Sequence, residues 1–152
     1  MRVLFLCTQF LFFLGSCGQP KTIIQNGTTY NQQNITTIQY DAFSRGYFLA
    51  VSIDKDQIKK FKDRNLKEFD TKNCTEKDWN KVLLLINDIE LKKINTLQAP
   101  SDKRTFDGAA HARLKIISGD KIYTSAGFDH GNPPEDLKVL VNTILSLTES
   151  IE

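Results

Sequence analysis

His111 and His130 are the two histidines of the 152-residue sequence, and both flank one stretch, AHARLKIISGDKIYTSAGFDH. An imidazole titrates near neutral pH and can ligate a metal, so two that converge could begin a metal or acid–base site. The spacing makes convergence possible. If Gly119-Asp120 is a two-residue hairpin turn, Ser118 opposes Lys121. Carried onward, that register sets Arg113 against Ala126, His111 against Phe128 and Ala110 against Asp129. His130 then lies diagonally from His111 on one sheet face, roughly 7–8 Å away. Asp129 adjoins His130, and Asp107 precedes His111 in a polar loop. The candidate catalytic residues are therefore His111, His130, Asp129 and Asp107. A zinc centre needs three or four ligands. This register offers two on a shared face, so no metal and no cofactor is assigned.

The same residues support a second reading. FDHGNPP can be a turn in which Asp129 and Asn132 bond backbone amides at a helix start. Arg104, Asp107 and Asp129 would then form a polar brace joining the loops before and after the hairpin. The sequence contains no G-x-S-x-G, H-E-x-x-H, C-x-x-C or phosphate loop. No nucleophile is paired with a base, so the sequence leans away from an enzyme. Cys74 stands beside a helix start, where a lone thiol is read as a small buried residue.

The elements that must position these groups are legible in part. Ile35–Asp41 suits a strand, and FSRGYFLAVSI (residues 43–53) suits a longer central one, with Tyr47, Leu49, Val51 and Ile53 on one face. Residues 57–69 are ambiguous between helix and strand; a polar edge strand with a loop is favoured. Thr75-Glu-Lys-Asp78 resembles a capping box, followed by Trp79, Val82, Leu83 and Ile86 at helical spacing. Residues 90–109 read as a short irregular packing segment and a polar loop. After the hairpin, Asn132 can cap a helix with Pro133 in its first turn and Glu135 at capping-box spacing. Its inward stripe is Leu137, Leu140, Val141, Ile144, Leu145 and Thr148. The expected fold is α+β: an antiparallel sheet of about four to five strands with two helices packed on one face.

The chain opens MRVLFLCTQFLFFLGSC. Arg2 is followed by an apolar run of signal-peptide length, too short to span a bilayer stably. Leu14-Gly15-Ser16-Cys17 resembles a bacterial lipobox. The resemblance implies cleavage before Cys17 and lipidation of its thiol. Residues 1–16 are then a lipoprotein signal peptide, 17–34 a lipidated cysteine and flexible tether, and 35–152 a single domain. A seventeen-residue flexible tether reaches roughly 20–25 Å. Cys7 leaves with the signal and Cys17 takes lipid, so Cys74 has no partner for an intramolecular disulfide. Gly18-Gln-Pro-Lys21 carries no acid, which favours the periplasmic face over export to the cell surface.

Twenty basic residues against eighteen acidic ones give no reason to expect nucleic acid. The layout is similar to small uncharacterised envelope lipoproteins of the Bacteroidetes type, on Phe43-Ser-Arg-Gly46-Tyr47 and Asn132-Pro-Pro-Glu135. That resemblance implies no known activity. The expected function is a non-enzymatic, membrane-anchored envelope protein that binds another envelope protein or a cell-wall component. An inhibitor-like variant of this reading predicts an exposed apolar patch on the free sheet face. The alternative is a small metal-binding or hydrolytic module at His111 and His130.

Overall fold

The computed structural model describes residues 34–151, with the backbone of residues 24–25 and 28–29 before them. Those four form an antiparallel ribbon of β1 (Ile24–Gln25) and β2 (Thr28–Thr29). The expected signal segment and Cys17 lie outside the described residues, as does most of the expected tether.

Alternating apolar residues make the first long strands, but a turn divides what the sequence suggested was one. β3 (Ile35–Phe43) runs through Phe43, and β4 (Phe48–Ile53) begins only at Phe48. The intervening turn closes with Ser44 N donating to Tyr47 O at 2.9 Å. Residues 57–69 resolve as strand, as favoured: β5 (Gln57–Phe61) leads into a loop. A further edge strand, β6 (Phe69–Asn73), follows it. The loop is organised by Asp63, whose carboxylate accepts from the amides of Asn65, Lys67 and Glu68. Those amides, Glu68 first, hold the Asp63 carboxyl below its ordinary range.

After α1 (Glu76–Asn87), a 3-10 segment (Leu91–Thr96) buries Leu91 and Ile94. A second 3-10 turn covers Lys103–Phe106. The hairpin of β7 (His111–Ser118) and β8 (Lys121–Thr124) then follows, with the short β9 (Phe128–Asp129) and α2 (Glu135–Thr148) after it. Among the described residues seven strands form one antiparallel sheet, ordered β6-β5-β4-β3-β7-β8, with β9 also on β7. The fold is α+β as expected, with more strands because β6 and β9 were not anticipated.

One face of the sheet carries the core. Ile38, Tyr40 and Ala42 of β3, Val51 and Ile53 of β4, Ile58 of β5 and Ala112, Leu114 and Ile116 of β7 are buried there. Val82 and Ile86 of α1 and Leu137, Leu140, Val141 and Ile144 of α2 join the same cluster. Burying each of the Ile, Leu and Val side chains contributes roughly 1.5–3 kcal/mol before the cost of ordering it. Thr75 caps α1 as its sequence indicated, with Oγ1 accepting from Asp78 N at 3.1 Å. Cys74 is buried in the core as a free thiol, as read from its context. α2 has no basic residue in its last turn. Sheet lysines reach that end instead: Lys60 Nζ donates to Ile151 O and Lys72 Nζ to Ser150 Oγ. Their charge complements the negative end of the helix dipole.

Among the described residues no helix is long and apolar enough to cross a membrane.

Candidate functional site

The hairpin keeps its predicted register only as far as Leu114. Ser118 opposes Lys121 and Lys115 opposes Thr124, around Gly119 at φ 55°. Ser125 N still donates to Leu114 O at 2.9 Å. Beyond it, however, Ala112 pairs with Phe128 and His111 with Asp129. Ala126 and Gly127 therefore stand together opposite Arg113, which is a β-bulge. A slip of one residue moves each later side chain to the other face. The expected pairing of His111 with Phe128, and with it the shared face of the two histidines, is overturned.

His111 goes to the face away from the helices. Its ring stacks on Phe43 at 5.7 Å between centroids. Nε2 is buried against Gly127 and has no hydrogen-bond partner among the described residues. A Cβ on Gly127 would stand 2.6 Å from His111 Cε1 and closer still to Nε2. Burial, then the cations of Arg113 and Arg104, pull the His111 pKa below its ordinary value.

His130 goes to the helix-covered face and lies between two phenols. Nδ1 is 2.7 Å from Tyr40 Oη, and Nε2 is 2.9 Å from Tyr47 Oη. Tyr40 is fully buried, whereas Tyr47 is 39% exposed, so the chain of three groups runs from the core to solvent. Burial lowers the His130 pKa, keeping the ring neutral. A neutral imidazole donates from one nitrogen and accepts at the other, which satisfies both hydroxyls in either tautomer. Burial, followed by Tyr47 and Asp41, pushes the Tyr40 hydroxyl upward, and burial raises Tyr47 as well. Both phenols therefore keep their protons near neutral pH.

Asp129 is the hub of a separate cluster. Its Oδ2 accepts from Ser101 Oγ at 2.6 Å and Lys103 N at 2.9 Å. Its Oδ1 accepts from Arg104 N at 3.0 Å and Arg104 Nη1 at 3.2 Å. Arg104 Nη1 also donates to Ser101 O at 2.7 Å. Burial pushes this carboxyl up, but the Ser101 hydroxyl and the Arg104 and Lys103 donors outweigh it and set the pKa at about 2. Four donors fill the lone-pair sites of the carboxylate, leaving it a brace rather than a free base or ligand.

The predicted brace thus contains Arg104 and Asp129 but not Asp107. Asp107 sits at φ 58° ending the 3-10 turn, and its carboxylate faces exposed Arg45 at 3.9 Å. Asn132 is also reassigned. α2 starts at Glu135 with Pro134 at its N-cap and no side-chain cap. Asn132 Nδ2 instead donates to Ser101 Oγ at 2.6 Å. The amides that Asp129 caps begin the 3-10 turn at Lys103, not α2.

Among the described residues no group of three or more His, Cys, Asp or Glu side chains could hold a metal ion. Sequence reasoning missed Tyr40 as a partner of His130. Its signal was a phenol at an inward strand position, where a buried hydroxyl needs a partner. No protein-family model matches the chain, and no curated protein matches it.

Proposed function

We propose that this chain is a lipid-anchored protein of the bacterial cell envelope, held through Cys17 with its domain facing the periplasm. Its domain binds another envelope protein or a cell-wall component rather than catalysing a reaction. The observation that carries this reading is Leu14-Gly15-Ser16-Cys17, placed directly after an apolar run that Arg2 opens. Two or more acyl chains on one cysteine hold a protein firmly at a membrane, where one chain alone holds it marginally.

The polar geometry favours binding over chemistry. Asp129 is saturated by its four donors, and His130 is held at both nitrogens by tyrosines. Groups satisfied in this way fix loops and core. Meanwhile the sheet face away from the helices leaves a surface for a partner, with Phe43 and Phe69 exposed on it.

Fractionation of bacteria expressing the full chain tests the anchor. The wild type sediments with membranes, and globomycin causes the uncleaved precursor to accumulate. Cys17→Ala moves the protein to the soluble fraction. A Cys17→Ala protein that still sediments with membranes contradicts the proposal.

A further inference from the structure

The sheet presents two different faces. Helices cover one, and strand alternation defines the other. On that open face Phe69 pairs with Phe61 across β6 and β5, and Phe48 pairs with Phe43 across β4 and β3, with His111 next on β7. The result is a corner of aromatic rings. Phe43 is 41% exposed and Phe69 43%. Strand positions on the same face also carry Lys59, Arg113 and Lys115, and the β5–β6 loop lays Arg64 over Phe48 at 5.6 Å. The carboxylates at strand positions of this face are Asp41, paired with Arg113 in register, and Asp129, paired with His111 and buried under its own donors, Arg104 among them. Lys59, Arg64, Arg113 and Lys115 stand against Asp41 and Asp129, and Arg104 already pairs with Asp129, so a local cationic excess remains that the nearly balanced whole chain does not share. An exposed apolar patch rimmed by charge of one sign marks an interaction surface, and complementary charge selects its partner.

The ring geometry narrows the partner further. Lys59 Nζ lies 5.2 Å over the face of Phe69, Arg64 lies over Phe48, and His111 stacks on Phe43. Phe61 meets Phe69 edge to face at 63°. Nucleic-acid bases stack on free aromatic faces, and here those faces are engaged by the protein's own side chains. What remains outward is ring edge, aliphatic stem and cationic head. These suit carboxylates alternating with aliphatic groups.

We propose that this open face, centred on Phe43, Phe48, Phe61 and Phe69 with Lys59, Arg64 and Arg113, docks an acidic, leucine-like apolar segment of a partner protein. The proposal rests on the reading of the domain as a binding module and names the surface and partner chemistry of that reading.

The test uses the full chain in detergent and a fluorescein-labelled peptide in which glutamates alternate with leucines. The expected result is saturable binding. Lys59→Glu with Arg113→Glu, and separately Phe43→Ser with Phe69→Ser, each weaken it by at least about tenfold while far-ultraviolet circular dichroism stays unchanged. Arg113→Lys retains binding, because charge rather than a bidentate fork is required. Binding by both double variants at wild-type strength overturns the docking face. So does tighter binding of heparin or oligouridylate than of the peptide. A photo-crosslinker in membranes separates this failure from failure of the binding module itself. Placed at Thr71 on the open face, it should capture a protein partner. Capture from Leu84 on the exposed side of α1 but not from Thr71 sinks the docking face alone. Capture from neither sinks both readings.

Discussion

Both histidines are held below the ordinary imidazole value of 6.5, chiefly by burial. A histidine depressed in the folded state takes up its proton more readily when unfolded. The stability that His111 and His130 supply is therefore complete above pH 6.5 and is lost as pH falls through their lower folded values. Asp129 acts in a different window. Its carboxyl titrates at about 2 against an ordinary 3.8, so its contribution persists until pH falls below 3.8. Asp41, raised chiefly by burial, has the opposite sign and gains stability as pH falls through its folded value. The urea midpoint should accordingly drop between about pH 7.5 and 5.5. His130→Gln, whose amide can still serve both phenols, should remove part of that slope. A midpoint flat across the interval would show that neither imidazole is held neutral by the fold.

At the scale of elements, the bulge at Ala126 and Gly127 decides where the histidines point. Gly127 is required by approach rather than by φ: His111 occupies the space where a Cβ would stand. Gly127→Ala should destabilise the protein by about 1–3 kcal/mol through overpacking. Adding His111→Ala should recover part of that loss, so the double variant is less destabilised than the sum of the two single changes. Strict additivity in thermal or urea unfolding would mean the two residues do not press on each other.

This element also shows what the sequence could reveal. Lys115, Ile116, Ile117 and Ser118 carry the alternation, and Gly119-Asp120 names the turn, so the register near the turn was legible. The extra residue was not, because Ser125-Ala-Gly127 fits either face and only long-range packing selects the slip. The stripe of α2 was legible from its period: Leu137, Leu140, Val141, Ile144 and Thr148 are buried, and Leu145 is half-buried against the same core. Its start was not, since Asn132 can serve either α2 or Ser101, and the Asp129 cluster draws it away. β6 was obscured because its five residues, FDTKN, include one large apolar side chain and lie at an edge. The partnership of Arg104 with Asp129 was anticipated by charge; Asp107 was excluded by a left-handed backbone that no local pattern announces.

At the scale of the whole molecule, the sheet separates structure from surface. Its helix-covered side holds the core, the His130 phenol pair and the C-terminal end tied by Lys60 and Lys72. Its open side holds an aromatic corner with a basic rim. Under the proposed anchoring at Cys17, that open side is the one offered to a partner near the membrane. The anchor is the central claim, and it is tested most directly by mass spectrometry of the N-terminal peptide from protein purified out of bacterial membranes. The account predicts a chain beginning at Cys17 and bearing a diacylglycerol thioether. A peptide that begins elsewhere, or that carries Cys17 as an unmodified thiol, would contradict it.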